Sequence, residues 1–191
     1  MPSYVAMLRG INVSGSKPVK MEALRASFEA LGFKNVRTYV QSGNVVFEAK
    51  ERTAAPLGSK IVARIKHDFG FEVPVLVLGG SELGRVVEEN PFLKQRGQEI
   101  DPTKLHVTFL AAVPAAAGLK KMEGVSSGRD AFRCLGKTIY LACPDGYGNT
   151  KLTNNAFERA LGASATTRNW KTVTTLAAMA TGEPRPERLS C

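Results

Sequence analysis

The chain has 191 residues, 43% of them apolar and 23% charged, a balance that fits a globular protein and excludes a disordered or fibrous one. Lys plus Arg outnumber Asp plus Glu by 26 to 17, for a formal charge of +9, which favours anionic partners by long-range attraction. No apolar run approaches the ~20 residues of a membrane-spanning helix, and Met1-Pro2-Ser3-Tyr4 lacks the basic-then-apolar pattern of a secretory signal, so a cytoplasmic protein with no membrane partner is expected.

Tyr4 to Leu8 reads as a strand that ends at Arg9-Gly10. Lys20 to Leu31 carries Met21, Leu24, Phe28 and Leu31 at helical spacing, with Gly32 as a left-handed cap and Phe33 folding back on the last turn. Val36–Val40 and Asn44–Glu48 flank Ser42-Gly43, a two-residue hairpin signal. Pro56 to Phe69 is a second helix with Leu57, Ile61, Ile65 and Phe69 on one face. Val73 to Leu78 is a strand whose Pro74 suits a first or edge position, and Ser81 is placed to cap a short helix.

The order strand, helix, strand, strand, helix, strand is the ferredoxin-like arrangement. It recurs downstream: strand 105–111, helix 114–122, hairpin 131–143, helix 154–161 capped by Thr153, a short extended piece at 163–167 and a last helix 170–180. The expected fold is therefore α+β, a duplicated pair of ferredoxin-like halves with antiparallel sheets and helices on one face of each. The boundaries are 1–93 for the first half, 94–103 for a polar linker, 104–181 for the second half with its C-terminal helix, and 182–191 for a mobile tail.

Three cysteines and no signal argue against a disulfide framework. With the turn at Gly136-Lys137, Cys134 faces Ile139 and Cys143 faces Asp130, too far apart to bond. No His or Cys cluster has metal-ligand spacing, so no metal and no cofactor are expected. The basic excess is +4 over residues 1–100 and +5 over 101–191, with no consecutive basic block.

Hairpin parity sorts the side chains. Thr38, Val40, Val45 and Phe47 share the helix-packed side of the first sheet; Arg37, Tyr39, Gln41, Asn44, Val46 and Glu48 share a more polar side that is open or faces a partner domain. In the second hairpin Phe132, Cys134, Ile139, Leu141 and Cys143 form the core side, with Arg133, Thr138 and Tyr140 opposite.

Leu8 to Lys17 spaces Gly10 and Gly15 as a phosphate-binding P-loop does, but reads Gly-Ser-Lys where that loop needs Gly-Lys-Ser/Thr, which excludes a nucleoside triphosphatase of that type. What survives is a glycine-rich loop before a helix N-terminus, with Lys17 and Lys20 beside it, suited to a phosphate or carboxylate. Pro144 to Thr153 sits in the corresponding place of the second half and offers Lys151. In Thr166-Thr167-Arg168-Asn169-Trp170, Asn169 or Thr167 can cap the last helix, Arg168 can grip an anion bidentately, and Trp170 is better read as a core anchor than as a base stacker.

Leu8-Arg9-Gly10-Ile11-Asn12-Val13-x-Gly15, Thr38 to Phe47, Asn90-Pro91-Phe92, Tyr147-Gly148-x-x-Lys151-Leu152 and Thr167-Arg168-Asn169-Trp170 occur in that order. Together they resemble the domain of unknown function 1697 family of small bacterial proteins, over about Tyr4 to Met179. Ser14 stands where that family often has Gly, and Thr150 where Ser is usual. The resemblance implies a duplicated ferredoxin-like protein and brings no catalytic residue.

The functional expectation is a binding protein for a phosphate-bearing ligand, a nucleotide or nucleic acid. The ligand would be held in a basic cleft between the halves by Arg9, Asn12, Lys20, Gln41, Asn44, Lys151, Arg168 and Asn169. An enzyme acting on a phosphorylated or carboxylated small molecule ranks below it, because no motif contains a histidine and Asp145 is the only carboxylate in one. A structural or interaction protein is the third reading. Sequence-specific RNA binding is not expected, since the aromatic RNP1 pattern is absent.

Overall fold

The computed structural model describes residues 1–13, 15–93, 100–125 and 128–182. Ser14, Cys191, most of the expected linker (94–99) and most of the expected tail (183–191) lie outside the described residues. The chain divides into two compact units, residues 1–85 with 174–191, and residues 86–173.

The first unit contains β1 (Ser3–Leu8), α1 (Met21–Ala30), β2 (Lys34–Tyr39), β3 (Asn44–Glu48), α2 (Ala55–Phe69) and β4 (Val75–Gly79), followed by α3 (Gly80–Glu88), in which the unit boundary falls. Its antiparallel sheet has the order β2-β3-β1-β4. The second unit contains β5 (Leu105–Leu110), α4 (Ala116–Glu123), β6 (Ala131–Leu135), β7 (Thr138–Ala142), α5 (Asn154–Leu161) and β8 (Ala165–Asn169), and α6 (Trp170–Thr181) begins in it. Its sheet order, β6-β7-β5-β8, is the same. Both units are ferredoxin-like, and the duplication extends to single hydrogen bonds. The Leu8 amide donates to the Gly43 carbonyl at 2.8 Å, and the equivalent Leu110 amide donates to Lys137 at 2.9 Å.

One face of each sheet makes a core with its helices. In the first unit Tyr4, Ala6 and Leu8 alternate inward from β1 to meet Leu24 and Phe28 of α1 and Leu57, Ile61 and Ile65 of α2. Phe33 does fold back: its ring lies 4.6 Å from that of Phe47, and Phe28 approaches Phe47 edge-on at 5.3 Å. Such aromatic pairs add about 0.5–1.5 kcal/mol each beyond area burial. In the second unit Leu110, Ile139, Leu141, Cys143 and Phe157 form the corresponding core. There α4 meets α5 at Gly118, where a Cβ would come within 2.6 Å of the Ala160 carbonyl oxygen, so only glycine permits the approach.

Thr153 caps α5 as expected, its Oγ1 accepting from the Ala156 amide at 3.2 Å. Several local expectations are corrected. The β2–β3 connection is a four-residue loop, not a two-residue turn, because Tyr39 rather than Gln41 pairs with Asn44. The register shift is two residues, so the paired side chains keep their expected faces, but Val40 and Gln41 leave the sheet for the loop, and Val40, expected on the helix-packed side, is half exposed. Helix α3 follows β4 directly and starts at Gly80, which places Ser81 inside its first turn. The extended piece at 163–167 is a full strand, β8, completing the second sheet.

The second sheet faces are less open than hairpin parity implied. Val46 is 1% and Tyr140 1% exposed, whereas Arg37 and Arg133 are exposed and Glu48 and Thr138 are half-buried. The central strand β1 is apolar on both faces from Tyr4 to Leu8, a feature the hairpins alone did not carry, whereas β5 places His106 and Thr108 on its helix-packed face. Within the first unit the Arg37 guanidinium donates to the Met179 carbonyl at 2.6 Å. Within the second, the Tyr140 hydroxyl donates to the Val86 carbonyl at 3.0 Å and Arg133 sits over the Phe92 ring. Burial pushes the Tyr140 phenol up to about 12.

Candidate functional site

Beyond Leu8 the chain enters a loop of left-handed residues: Gly10 (φ 73°), Asn12 (55°), Gly15 (77°) and Lys17 (46°). The neighbouring β2–β3 loop holds Val40 (48°) and Gly43 (77°). Among the described residues four non-glycines have positive φ, and three of them, Asn12, Lys17 and Val40, lie in these two loops. Each such residue costs on the order of 1–3 kcal/mol and persists only where its surroundings hold it.

Asn12 supplies much of that hold. Its Nδ2 donates to the carbonyls of Val19 and Gln41, both at 2.9 Å, and its Oδ1 accepts from the Val19 amide at 2.8 Å. One side chain thus closes its own loop and ties it to the β2–β3 loop. The Arg9 amide donates to Pro74, and Lys17 Nζ donates to the Glu72 carbonyl at 2.7 Å, with its ammonium 5.8 Å from the centre of the Phe71 ring. Asn44 is fully buried, and its Nδ2 donates to the Tyr39 carbonyl at 3.2 Å and to Ser42 Oγ at 2.9 Å, closing the hairpin loop from beneath.

The structure therefore gathers five of the expected site residues at one end of the first sheet. Asn12 and Asn44 shape the loops. Arg9 is half-buried, and Lys20 and Gln41 are exposed, their side chains making no hydrogen bond or ion pair with another described residue. Lys20 occupies the N-cap position of α1 without a capping side-chain bond, which leaves first-turn amides available there. The only carboxylate in that first turn is Glu22.

The other three expected residues belong to the second unit. Arg168 and Asn169 end β8 on opposite faces: Arg168 is in register with Val107, and Asn169 with His106. Burial lowers the Arg168 guanidinium to about 10, and its Nη1 donates to the Thr167 carbonyl at 3.0 Å. Asn169 does cap α6, its Oδ1 accepting from the Thr172 amide at 2.8 Å. Lys151 is exposed, three residues before α5. Its loop joins β7 to α5, so its counterpart in the first unit is the β3–α2 connection. The correspondence with the Leu8–Lys17 loop is thereby corrected: the topological equivalent of that loop is 111–115, after β5. The two motif sets accordingly occupy opposite ends of their respective sheets.

The second unit also holds a functional candidate that motif reading missed. The His106 ring stacks on Tyr147, centroids 4.6 Å apart and planes at 21°, and its Nδ1 is buried with no hydrogen-bond partner among the described residues. Burial depresses the imidazole below its ordinary range, partly opposed by the Lys104 carbonyl. Beside it runs a directed chain. Thr167 Oγ1 donates to Asn154 Oδ1 at 2.7 Å, so its contact with Thr108 Oγ1, also 2.7 Å, is donated by Thr108. The available signal for His106 was its parity: it falls on the helix-packed face of β5, the face that Leu110 gives to the core.

A family model described as a protein of unknown function, DUF1697, matches residues 1–140. The chain belongs to the DUF1697 family. Among solved structures it is similar to a conserved bacterial protein from Streptococcus pneumoniae, with 22% identity and a TM-score of 0.73, over 94% of this chain and 98% of that one. That likeness supports the duplicated fold across nearly the whole DUF1697 chain. No match is found among curated proteins.

Proposed function

We propose that this protein binds a phosphate-bearing ligand, a nucleotide or nucleic acid, at the end of the first sheet where the 9–20 and 40–43 loops meet. The observation that carries the reading is the concentration of left-handed backbone in two loops cross-tied by Asn12, with Arg9 where the first loop leaves β1 and Lys20 at the uncapped helix N-terminus where it ends. Strained loops held open by side-chain hydrogen bonds favour a function over mere connection. Backbone amides and cations at a helix start favour an oxyanion. Lys20 and Gln41 contact the ligand, Arg9 adds charge, and Asn12 and Asn44 hold the loops in shape. In the second unit Lys151 lies on the loop before α5, and Arg168 and Asn169 lie at the end of β8; we assign them a contribution to the same class of ligand.

The test is calorimetric titration of the full chain with inorganic phosphate, ADP and a short single-stranded oligonucleotide. Lys20→Ala with Gln41→Ala weakens binding at least about tenfold, roughly 1.4 kcal/mol, while thermal stability is kept. Lys151→Ala separates the contribution of the second unit. Wild-type affinity in the Lys20/Gln41 variant removes the proposed site.

His106 favours a second reading, an enzyme acting on a phosphorylated or carboxylated small molecule. It provides the titratable group that the motifs lacked, in register with Asn169 and stacked on Tyr147. Turnover of phosphoester or acyl substrates that disappears in His106→Gln supports it; turnover retained in that variant excludes His106 as the acid or base.

A further inference from the structure

Each unit displays aliphatic side chains at the same end of its sheet. In the first, Val13 and Val40 are 55% and 51% exposed, on the connection after β1 and on the β2–β3 loop. In the second, Val113 and Leu135 are 67% and 46% exposed, on the connection after β5 and beside the β6–β7 turn. These positions are topologically equivalent, as the matched Leu8-to-Gly43 and Leu110-to-Lys137 hydrogen bonds show.

Folding does not explain the tips. Val40 has φ 48°, a region that β-branched residues avoid, and half of its surface is in solvent. Asparagine or glycine would hold that backbone with less strain, so neither packing nor conformation selects valine. The four connections, 9–20, 40–43, 111–115 and 136–137, contain no carboxylate, and they carry Arg9, Lys17, Lys20 and Lys137. Glu22 follows the first connection in the first turn of α1, and Glu72, whose carboxylate pairs with Lys66 at 2.6 Å, holds Lys17 through its carbonyl.

Aliphatic tips with cations behind them and no carboxylates fit the interface of an anionic bilayer. The apolar ends enter the headgroup–acyl boundary while the cations stay at the phosphates. Nucleic acid would be better served by aromatic stacking side chains, and all four tips are aliphatic. We propose that the loop tips of each unit, taken by itself, form a peripheral contact with an anionic phospholipid surface. The expectation of no membrane partner rested on the lack of a spanning segment; a surface contact needs none. The inference shares loops with the proposed anion site but is carried by the apolar tips, so the two can fail separately.

The test is co-sedimentation of the full chain with phosphatidylcholine vesicles, with and without phosphatidylserine, across a salt series. Partition requires phosphatidylserine and weakens as salt rises. Val13→Ser with Val40→Asn, and separately Val113→Ser with Leu135→Ser, each lower the partition about tenfold. Val40→Asn suits the left-handed backbone, so folding is kept, as a thermal melt verifies, and Val113→Ser with Leu135→Ser, which lie outside the proposed anion site, leave the response to inorganic phosphate unchanged. Absence of partition, or partition indifferent to both double variants, overturns the proposal. Loss in only one variant overturns it for the other unit. Oligonucleotide affinity that falls in these variants while vesicles go unbound replaces the membrane with nucleic acid.

Discussion

Gly43→Ala and Gly10→Ala place the same methyl group on nearly the same backbone conformation, at φ 77° and 73°. At Gly10 nothing lies within 4 Å of the new Cβ. At Gly43 it would meet Leu8 Cβ at 2.8 Å and Ile11 Cδ1 at 2.9 Å, both on fully buried residues. The left-handed conformation alone costs an alanine about 1–2 kcal/mol. Overpacking a filled core costs about 1–3 kcal/mol more, and Gly43 has little room to retreat because its carbonyl accepts from the Leu8 amide at 2.8 Å. Gly10→Ala should therefore destabilise the first unit by about 1–2 kcal/mol and Gly43→Ala by about 2–5 kcal/mol. Urea unfolding followed by far-UV circular dichroism measures both. Losses equal within about 0.5 kcal/mol would mean that the β2–β3 loop does not seat on Leu8 and Ile11, and would remove the framework of the proposed site.

Asn12→Ala forfeits three hydrogen bonds, and at about 1 kcal/mol each it should cost about 2–3 kcal/mol, with faster hydrogen exchange at the Val19 amide; unchanged exchange there contradicts the cross-tie. Val40→Asn should raise stability by up to about 1 kcal/mol, read in the same urea assay, because the left-handed backbone suits asparagine; a loss would show that Val40 packs. Burial depresses His106 in the folded chain, so the unfolded chain, titrating near 6.5, binds the proton more readily. The contribution of His106 is therefore full above that value and is lost as pH falls through it; His106→Gln should flatten the urea midpoint between about pH 7.5 and 5, and an unaltered slope refutes the assignment. Tyr140→Phe leaves the Val86 carbonyl unpaired and should cost about 1–2 kcal/mol; a neutral effect would show that this carbonyl finds other partners.

Elements governed by neighbouring residues were legible in the sequence. The Thr153 cap, the Gly32 reversal and the Phe33 return follow from spacing within one turn, and the two-fold repeat of element order followed from periodicity. Sheet faces of the paired residues survived an error in the hairpin register because the shift was by two residues, while Val40 and Gln41 passed from strand to loop. β8 was under-read because Thr166 to Asn169 are polar, and its strand character comes from pairing with β5, fifty-nine positions away at Thr108–Thr167. The site was half legible. Arg9, Lys20 and Gln41 have the chemistry expected of surface ligands, whereas the bonds of Asn12 to Gln41 and of Asn44 to Tyr39 give the asparagines a shaping role that no local pattern announces. His106 was overlooked because its neighbours Tyr147 and Asn169 lie far from it in sequence.

The most direct measurement is an amide-resolved NMR titration of the full chain with inorganic phosphate and ADP. The account predicts saturable shifts at Gly10, Gly15 to Glu22 and Gln41 to Gly43, which are lost in Lys20→Ala with Gln41→Ala. Saturable shifts confined to other parts of the first unit, or none in these two loops at millimolar ligand, would contradict it.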